Sequence, residues 1–358
     1  MRHLAEYQPR TILVRSTNWV GDAIMTTPAV RTIRANFPGA KISILAYPWV
    51  ADIFAASPHV DEVLIYQKKG RHQGLHGLWQ LGRELRERCF DMAILLQNAF
   101  EAALLANLAG IPVRAGYRRD GRGLLLTHGV TIRPEVRRLH QVHYYQGLLA
   151  ELGLSLGPDE LFLQLPTETS RWAREFLASR RPRRVVGLNP GAAYGPAKKW
   201  AAERYAGLAA RLHREYGATL LVFGTAADQE AAALIKAEAP EQVVDLSGKT
   251  TLAEAMALIG CCDAFVTNDS GLMHVAAAQK VPLVAIFGST DEVATGPFCH
   301  TAVILKKALP CSPCFKTHCR FGHYQCMAGI EVDEVFVAVA GLLEAKGEEV
   351  GHAAGGLS

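Results

Sequence analysis

Three short polar turns carry the side chains best suited to chemistry. Ser16-Thr17-Asn18-Trp19-Val20-Gly21-Asp22 follows an apolar run ending at Arg15. Asn189 to Trp200, reading NPGAAYGPAKKW, follows a run ending at Leu188, and Asn268-Asp269-Ser270-Gly271 follows one ending at Thr267. A helix beginning just after such a turn offers unpaired backbone N–H groups and the positive end of its dipole, which suits an anion. The competing role for Asp269 or Ser270 is to cap that helix. Asp22 poses the same choice: it caps a helix near Ala23, or it takes a proton from a substrate hydroxyl as that oxygen attacks. Gly21 lets the backbone approach a ligand closely. Lys198 and Lys199 are compact charges able to neutralise a departing phosphate, and are equally at home as solubility charges. Trp200 is expected to pack beneath their loop.

A fourth cluster is Cys311, Cys314, Cys319 and Cys326, with His318 and His323 between them. This spacing admits a zinc or iron–sulfur site. The second C-x-x-C of a zinc ribbon is missing and the spacings are irregular, so a structural loop is the expectation. The first turn holds no G-x-G-x-x-G, and redox chemistry on a dinucleotide loses its usual support.

The elements that must position these turns alternate in type. Short apolar runs predict strands at Thr11–Arg15, Lys41–Ala46, Glu62–Tyr66 and Met92–Leu96. Amphipathic stretches between them predict helices at Thr26–Asn36, Pro48–Ala56, Leu75–Arg88 and Phe100–Ala109, then His140–Leu152. Strand and helix in regular alternation mean a parallel sheet covered on both faces. The Gly/Pro-rich stretch 154–167 reads as a linker between an N-terminal domain, 1–153, and a C-terminal one, 168–345. The pattern then restarts, with strands at Arg184–Leu188, Thr219–Phe223, Val243–Asp245, Ala264–Thr267 and Leu283–Phe287. Its helices are Ala202–Glu215, Ala227–Ala237, Leu252–Ile259, Leu272–Ala278 and Val332–Ala345, and a disordered tail, 346–358, is expected after them. The fold class is α/β, two doubly wound parallel-sheet domains in tandem, whose strand carboxyl ends are expected to line a cleft.

At 358 residues the chain exceeds what one core usually serves, about 250–300 residues. Hydrophobic residues make up 49% and charged ones 20%, a globular balance. No stretch reaches the roughly 18 uncharged apolar residues of a membrane span, and the first ten residues lack a signal-peptide core, so a cytoplasmic place is expected. Residues 1–180 hold 22 Lys and Arg against 16 Asp and Glu, while the rest holds 16 against 18. A basic first half suits an acidic partner such as a phosphorylated lipid surface, or is a solvated face. Nucleic acid is disfavoured because the charges are scattered and no aromatic platform is interleaved with them.

Residues 16–28 (STNWVGDAIMTTP), 188–200 (LNPGAAYGPAKKW) and 267–274 (TNDSGLMH), in this order and spacing, resemble the ADP-heptose lipopolysaccharide heptosyltransferases, glycosyltransferase family 9. The loop GAAYGPAKKW is most like heptosyltransferase II. The resemblance runs from Thr11 to about Ala345. It implies a GT-B fold of two Rossmann-like domains, the first binding acceptor and the second the nucleotide sugar. It implies a metal-independent, inverting transfer of L-glycero-D-manno-heptose from ADP-heptose to the first heptose of heptosyl-Kdo2-lipid A. No cofactor is implied, and the place of action is the cytoplasmic face of the inner membrane, as a peripheral protein.

Carried over by position, the resemblance makes Asp22 the base and Lys198 the lysine at the donor phosphates. Asp269 then meets heptose hydroxyls, and Ser270, Gly271 and neighbouring N–H groups meet the diphosphate. Asn189, Tyr194 and Gly224 fall in the donor site, as do Asp228, the candidate for the ribose, and His274, equally a packed core residue. Asn18 and Gly21 fall on the acceptor side; the basic residues Arg118, Arg119, Arg122, Arg137 and Arg138 are candidates for the acceptor's phosphates and carboxylates, or equally a solvated face. Ala193 and Tyr194 stand where the enzyme that adds the first heptose has threonines, so phosphate contacts there must come from backbone or from Tyr194. Because base and donor turn lie in different domains, catalysis is expected to depend on domain closure. A nucleotide-sugar epimerase of the same architecture, or a metal protein built on the cysteine loop, are the alternatives.

Overall fold

The computed structural model describes residues 3–355, and the chain divides into two compact units, Met1–Pro166 and Thr167–Ser358.

The first unit is built on a six-stranded parallel sheet of β1 (Thr11–Arg15), β2 (Lys41–Ala46), β3 (Glu62–Ile65), β4 (Met92–Leu95), β5 (Val113–Tyr117) and β6 (His128–Val130), in the order β3-β2-β1-β4-β5-β6. Ile12, Leu13 and Val14 are buried in succession because helices cover both faces, which is why this strand reads as an unbroken apolar run. The chain winds outward from β1 to β3 and then returns to β1's other side with β4. Arg15 therefore pairs with Leu45 on one side and Leu95 on the other. At such a reversal the connections leaving the two central strands diverge and open a crevice at the carboxyl edge. The turn 16–19 leaves β1 there.

The second unit repeats the plan with β7 (Arg184–Asn189), β8 (Ala218–Val222), β9 (Val243–Asp245), β10 (Ala264–Asn268), β11 (Leu283–Phe287) and β12 (Ala302–Lys306), in the order β12-β11-β10-β7-β8-β9. The reversal falls between β7 and β10, where Asn189 stands opposite Thr267. Gly187 of β7 pairs with Phe265 of β10, and a Cβ at Gly187 would meet that ring at 2.4 Å. The missing side chain is what admits the Phe265 ring between the strands and their covering layer.

Three strands have no counterpart among the sequence-based expectations. β5 is interrupted by Arg114 and Gly116, β6 is only His-Gly-Val, and β12 is a half-exposed edge strand, so none shows a buried apolar run. The helix Thr167–Ala178 likewise has no counterpart among those expectations, and it starts at the last residue of the expected linker. Much of that linker is bound to the first unit: Arg31 donates to the carbonyls of Pro158 and Glu160, and Phe162 N–H donates to Thr27 Oγ1 at 3.0 Å. The last helix, Val332–Gly355, continues through residues 346–355 of the expected tail, and 356–358 lie outside the described residues. Among the described residues, no helix is long and apolar enough to cross a membrane.

Candidate active site

At the carboxyl end of β1 the chain passes through 16–19 and enters the helix Val20–Met25, whose N-cap position is Trp19. Asp22 is thus inside the first turn and not the cap. Its carboxylate is half-buried and accepts a hydrogen bond from the Tyr145 hydroxyl at 3.4 Å. Tyr145 is buried, and burial first, then the Asp22 charge, pushes its phenol well above the ordinary value, so it stays a donor. Beneath the turn lies Arg15, 1% exposed, donating to the carbonyls of Ser16 (2.8 Å) and Leu45 (3.0 Å) and to Asn18 Oδ1 (3.4 Å). Burial holds its guanidinium below the ordinary value against the pull of Tyr47, Glu101 and Tyr66. Asn18 is half-buried, and its own carbonyl accepts from Trp49 Nε1 at 2.8 Å.

Two of the three arginines assigned to the acceptor side are exposed, Arg118 and Arg119. Arg122 is a correction. It is fully buried and spends its donors on the carbonyls of Tyr117 (2.8 Å) and Gln97 and on Asn98 Oδ1 (2.9 Å), tying together the ends of β4 and β5. Burial pushes its guanidinium down to about 10. A guanidinium so committed is not available to a ligand.

In the second unit, the turn after β10 meets the loop after β7. Lys198 Nζ donates to Asp269 Oδ2 at 2.6 Å, and Thr290 Oγ1, from the turn after β11, donates to the same oxygen at 2.6 Å. The side chains of Lys198 and Asp269 are 15% and 7% exposed, so this is a largely desolvated pair. The Tyr194 ring lies 5.0 Å from Lys198 Nζ, and its hydroxyl donates to the Phe315 carbonyl. Ser270 is the N-cap residue of the helix Gly271–Ala278, yet its side chain makes no capping hydrogen bond. Ser270 Oγ instead accepts from Asn189 Nδ2 at 2.7 Å, a donor that also reaches Thr267 Oγ1 at 3.0 Å. The capping role open to Asp269 and Ser270 in the sequence is not the one they fill, and Asn189 positions Ser270. His274 is 3% exposed in the interior of this unit.

The neighbouring Lys199 takes a different carboxylate, Asp228 Oδ1 at 3.1 Å. Burial raises the Asp228 carboxyl, but the Thr225 N–H, Lys199 and the Thr225 hydroxyl outweigh it and hold the group below its ordinary value. Gly224 lies against this carboxylate, where a Cβ would sit 2.9 Å from Asp228 Cβ. The pair borders a recess of about 600 Å³ walled also by Trp200, Leu234, Tyr324 and Met327, a size that accepts a nucleoside. Trp200 is buried, with Nε1 bonded to the Ile330 carbonyl at 2.9 Å, which anchors the loop as its position suggested. Gly195 has φ of 140°, and a Cβ there would meet the Thr317 carbonyl at 2.7 Å, so only glycine lets the lysine loop lie against the cysteine-bearing segment.

That segment holds free thiols only, and among the described residues no three His, Cys, Asp or Glu side chains form a metal-holding group. Cys326 is buried, and burial, then the charges of Cys314, Cys319 and Cys311, push its thiol up. The Tyr324 N–H and those of Phe321, Gly322 and His323 draw Cys319 down.

A model of glycosyltransferase family 9 (heptosyltransferase) matches residues 78–325. The chain belongs to that family. This family 9 member is 34% identical to lipopolysaccharide heptosyltransferase 2 of Escherichia coli (strain K12), over 93% of its own length and 98% of the relative's. The solved structure of E. coli ADP-heptose lps heptosyltransferase II aligns with a TM-score of 0.80 at 32% identity, covering 94% of this chain and 99% of that one. A glycosyltransferase family 9 protein from Veillonella parvula DSM 2008 gives 0.84 at 26% identity, with 94% and 98% covered. The chain is a glycosyltransferase with the GT-B fold. Sequence reasoning about this glycosyltransferase missed Tyr145, Thr290 and the recess wall at 324–327. Thr290 lies in the polar turn just after the apolar run Leu283–Phe287, and that position was its one available signal; Tyr145 sits on an apolar helix face with no mark of its role.

Proposed function

We propose that this glycosyltransferase moves L-glycero-D-manno-heptose from ADP-heptose onto the first heptose of the lipopolysaccharide inner core, heptosyl-Kdo2-lipid A, by one inverting displacement. The reading is carried by end-to-end similarity to proteins named lipopolysaccharide heptosyltransferase 2, which spans both units. Asp22 takes the acceptor proton as its oxygen attacks the anomeric carbon opposite ADP. Its carboxylate is half-buried, is not the helix cap, and is steadied by Tyr145, which suits a base. Departing ADP places its charge by Lys198 and the N–H groups at Gly271, where it is worth more in the transition state than in the ground state. An ammonium has three donors, so Lys198 keeps its bond to Asp269 while meeting a phosphate oxygen. Asp269 meets heptose hydroxyls, and the recess beside Asp228 takes the nucleoside. No cofactor enters this scheme.

Arg118 and Arg119 meet the anionic groups of the acceptor. Peripheral membrane contact fits the helix Gly74–Arg86, where Leu75 and Trp79, one turn apart, are 86% and 50% exposed beside Arg83. The test is ADP release from ADP-heptose with and without heptosyl-Kdo2-lipid A. The proposal expects release to require the acceptor and the product to carry the inverted anomeric configuration. Acceptor-independent conversion of the donor would point to an epimerase instead.

A further inference from the structure

Trp49 is 46% exposed in the turn Pro48–Val50, which leaves β2 at the carboxyl edge of the first sheet. An indole so placed is ordinarily mobile, but this one is fixed at several points. Its ring stacks on Tyr47, centroids 4.6 Å apart and planes 11° from parallel, and Tyr47 stacks in turn on Tyr66 at 5.0 Å. The Arg15 guanidinium stands 4.7 Å from the Tyr47 centroid and 5.5 Å from that of Tyr66. Its only polar atom, Nε1, is bonded to the carbonyl of Asn18, which ties the indole to the turn that leads into the Asp22 helix.

Two consequences follow. The indole has no hydrogen-bonding capacity left to offer, so what it presents outward is flat apolar surface. That surface is already ordered, so a ligand laid on it loses little by fixing the ring. A pyranose is the chemistry that fits: one face of the ring carries mostly C–H groups that stack on an aromatic plane, while its hydroxyls project from the rim towards polar partners. A phosphate or a carboxylate gains nothing from such a surface.

We infer that Trp49 is a stacking platform for a pyranose ring of the saccharide acceptor, registered with Asp22 through the Nε1 bond to Asn18. The inference rests on the acceptor being a saccharide, as proposed above. Trp49 is therefore a binding residue for the acceptor and not for the nucleotide sugar.

The test is steady-state kinetics of Trp49→Ala and Trp49→Phe with ADP-heptose and heptosyl-Kdo2-lipid A, beside calorimetry of the delipidated acceptor saccharide without donor. The Ala variant is expected to raise the acceptor KM about three- to tenfold, the range for one aromatic contact, and to weaken saccharide binding by the same factor. Its donor KM and its kcat at saturating acceptor stay within about twofold. The Phe variant keeps a stacking face and recovers most of the binding. An unchanged acceptor KM overturns the inference, and so does a donor KM that rises in step with it. A Phe variant as impaired as Ala overturns it too, since the Nε1 bond to Asn18 would then be the whole role. If the Ala variant does not fold, Trp49→Leu, which keeps apolar bulk but has no ring to stack, takes its place with the same expected and overturning results. Absence of transfer by the parent itself would refute the proposed activity, while saccharide binding would still report on Trp49.

Discussion

Lys198 Nζ lies 2.6 Å from Asp269 Oδ2, whereas the adjacent Lys199 reaches Asp228 Oδ1 at 3.1 Å, so consecutive lysines serve carboxylates on two different turns. The first pair is the more desolvated, and removing one partner from such a pair leaves a buried charge uncompensated. Lys198→Met is therefore expected to lower unfolding free energy by about 3 kcal/mol. It is also expected to lower kcat by about 10²–10³, the loss typical of a removed charge stabiliser. Urea unfolding and steady-state kinetics on the same preparation measure both.

The Lys199–Asp228 pair predicts a pH dependence. Asp228 titrates below its ordinary 3.8 in the folded chain, so there the unfolded chain binds more protons than the native one. Its stabilising contribution is complete above 3.8 and is lost as pH falls through that value towards the lower folded one. Lys199→Met should be less stable than the parent at neutral pH, and the gap should narrow on acidification below 3.8. Thermal unfolding followed against pH checks the sign.

Gly187 tests the sheet itself. A methyl group there meets the Phe265 ring at 2.4 Å in a buried layer, so Gly187→Ala should cost about 1–3 kcal/mol by overpacking. The denaturation midpoint should fall with an unchanged m-value.

The exposed apolar stripe on Gly74–Arg86 predicts binding to anionic bilayers. The parent should sediment with vesicles containing phosphatidylglycerol and not with phosphatidylcholine alone. Leu75→Ser with Trp79→Ser should weaken that binding about tenfold or more, while transfer to a soluble acceptor saccharide persists.

The sequence showed most of what positions the site. Both α/β units and the places of Asp22, Lys198 and Asp269 follow from buried strands that read as apolar runs and end in polar turns. What escaped it lacks a local signal. β12 is half-exposed at an edge, β5 is broken by Arg114 and Gly116, and the stretch 154–167 looks like a linker because its Gly and Pro content is the same whether or not it is bound to a neighbour. Arg122 shows the same limit: one arginine in a basic run looks like its neighbours until burial and its carbonyl partners set it apart. Hydrogen bonds between residues distant in sequence, such as Tyr145 to Asp22 and Thr290 to Asp269, leave no mark in periodicity.

The most direct test is acceptor-dependent ADP release by Asp22→Asn, with ADP-heptose and heptosyl-Kdo2-lipid A both saturating. A carboxylate that acts as general base predicts a kcat about 10²–10⁴ below the parent with ADP binding unchanged by calorimetry. A variant that keeps nearly the parent's kcat would contradict the account.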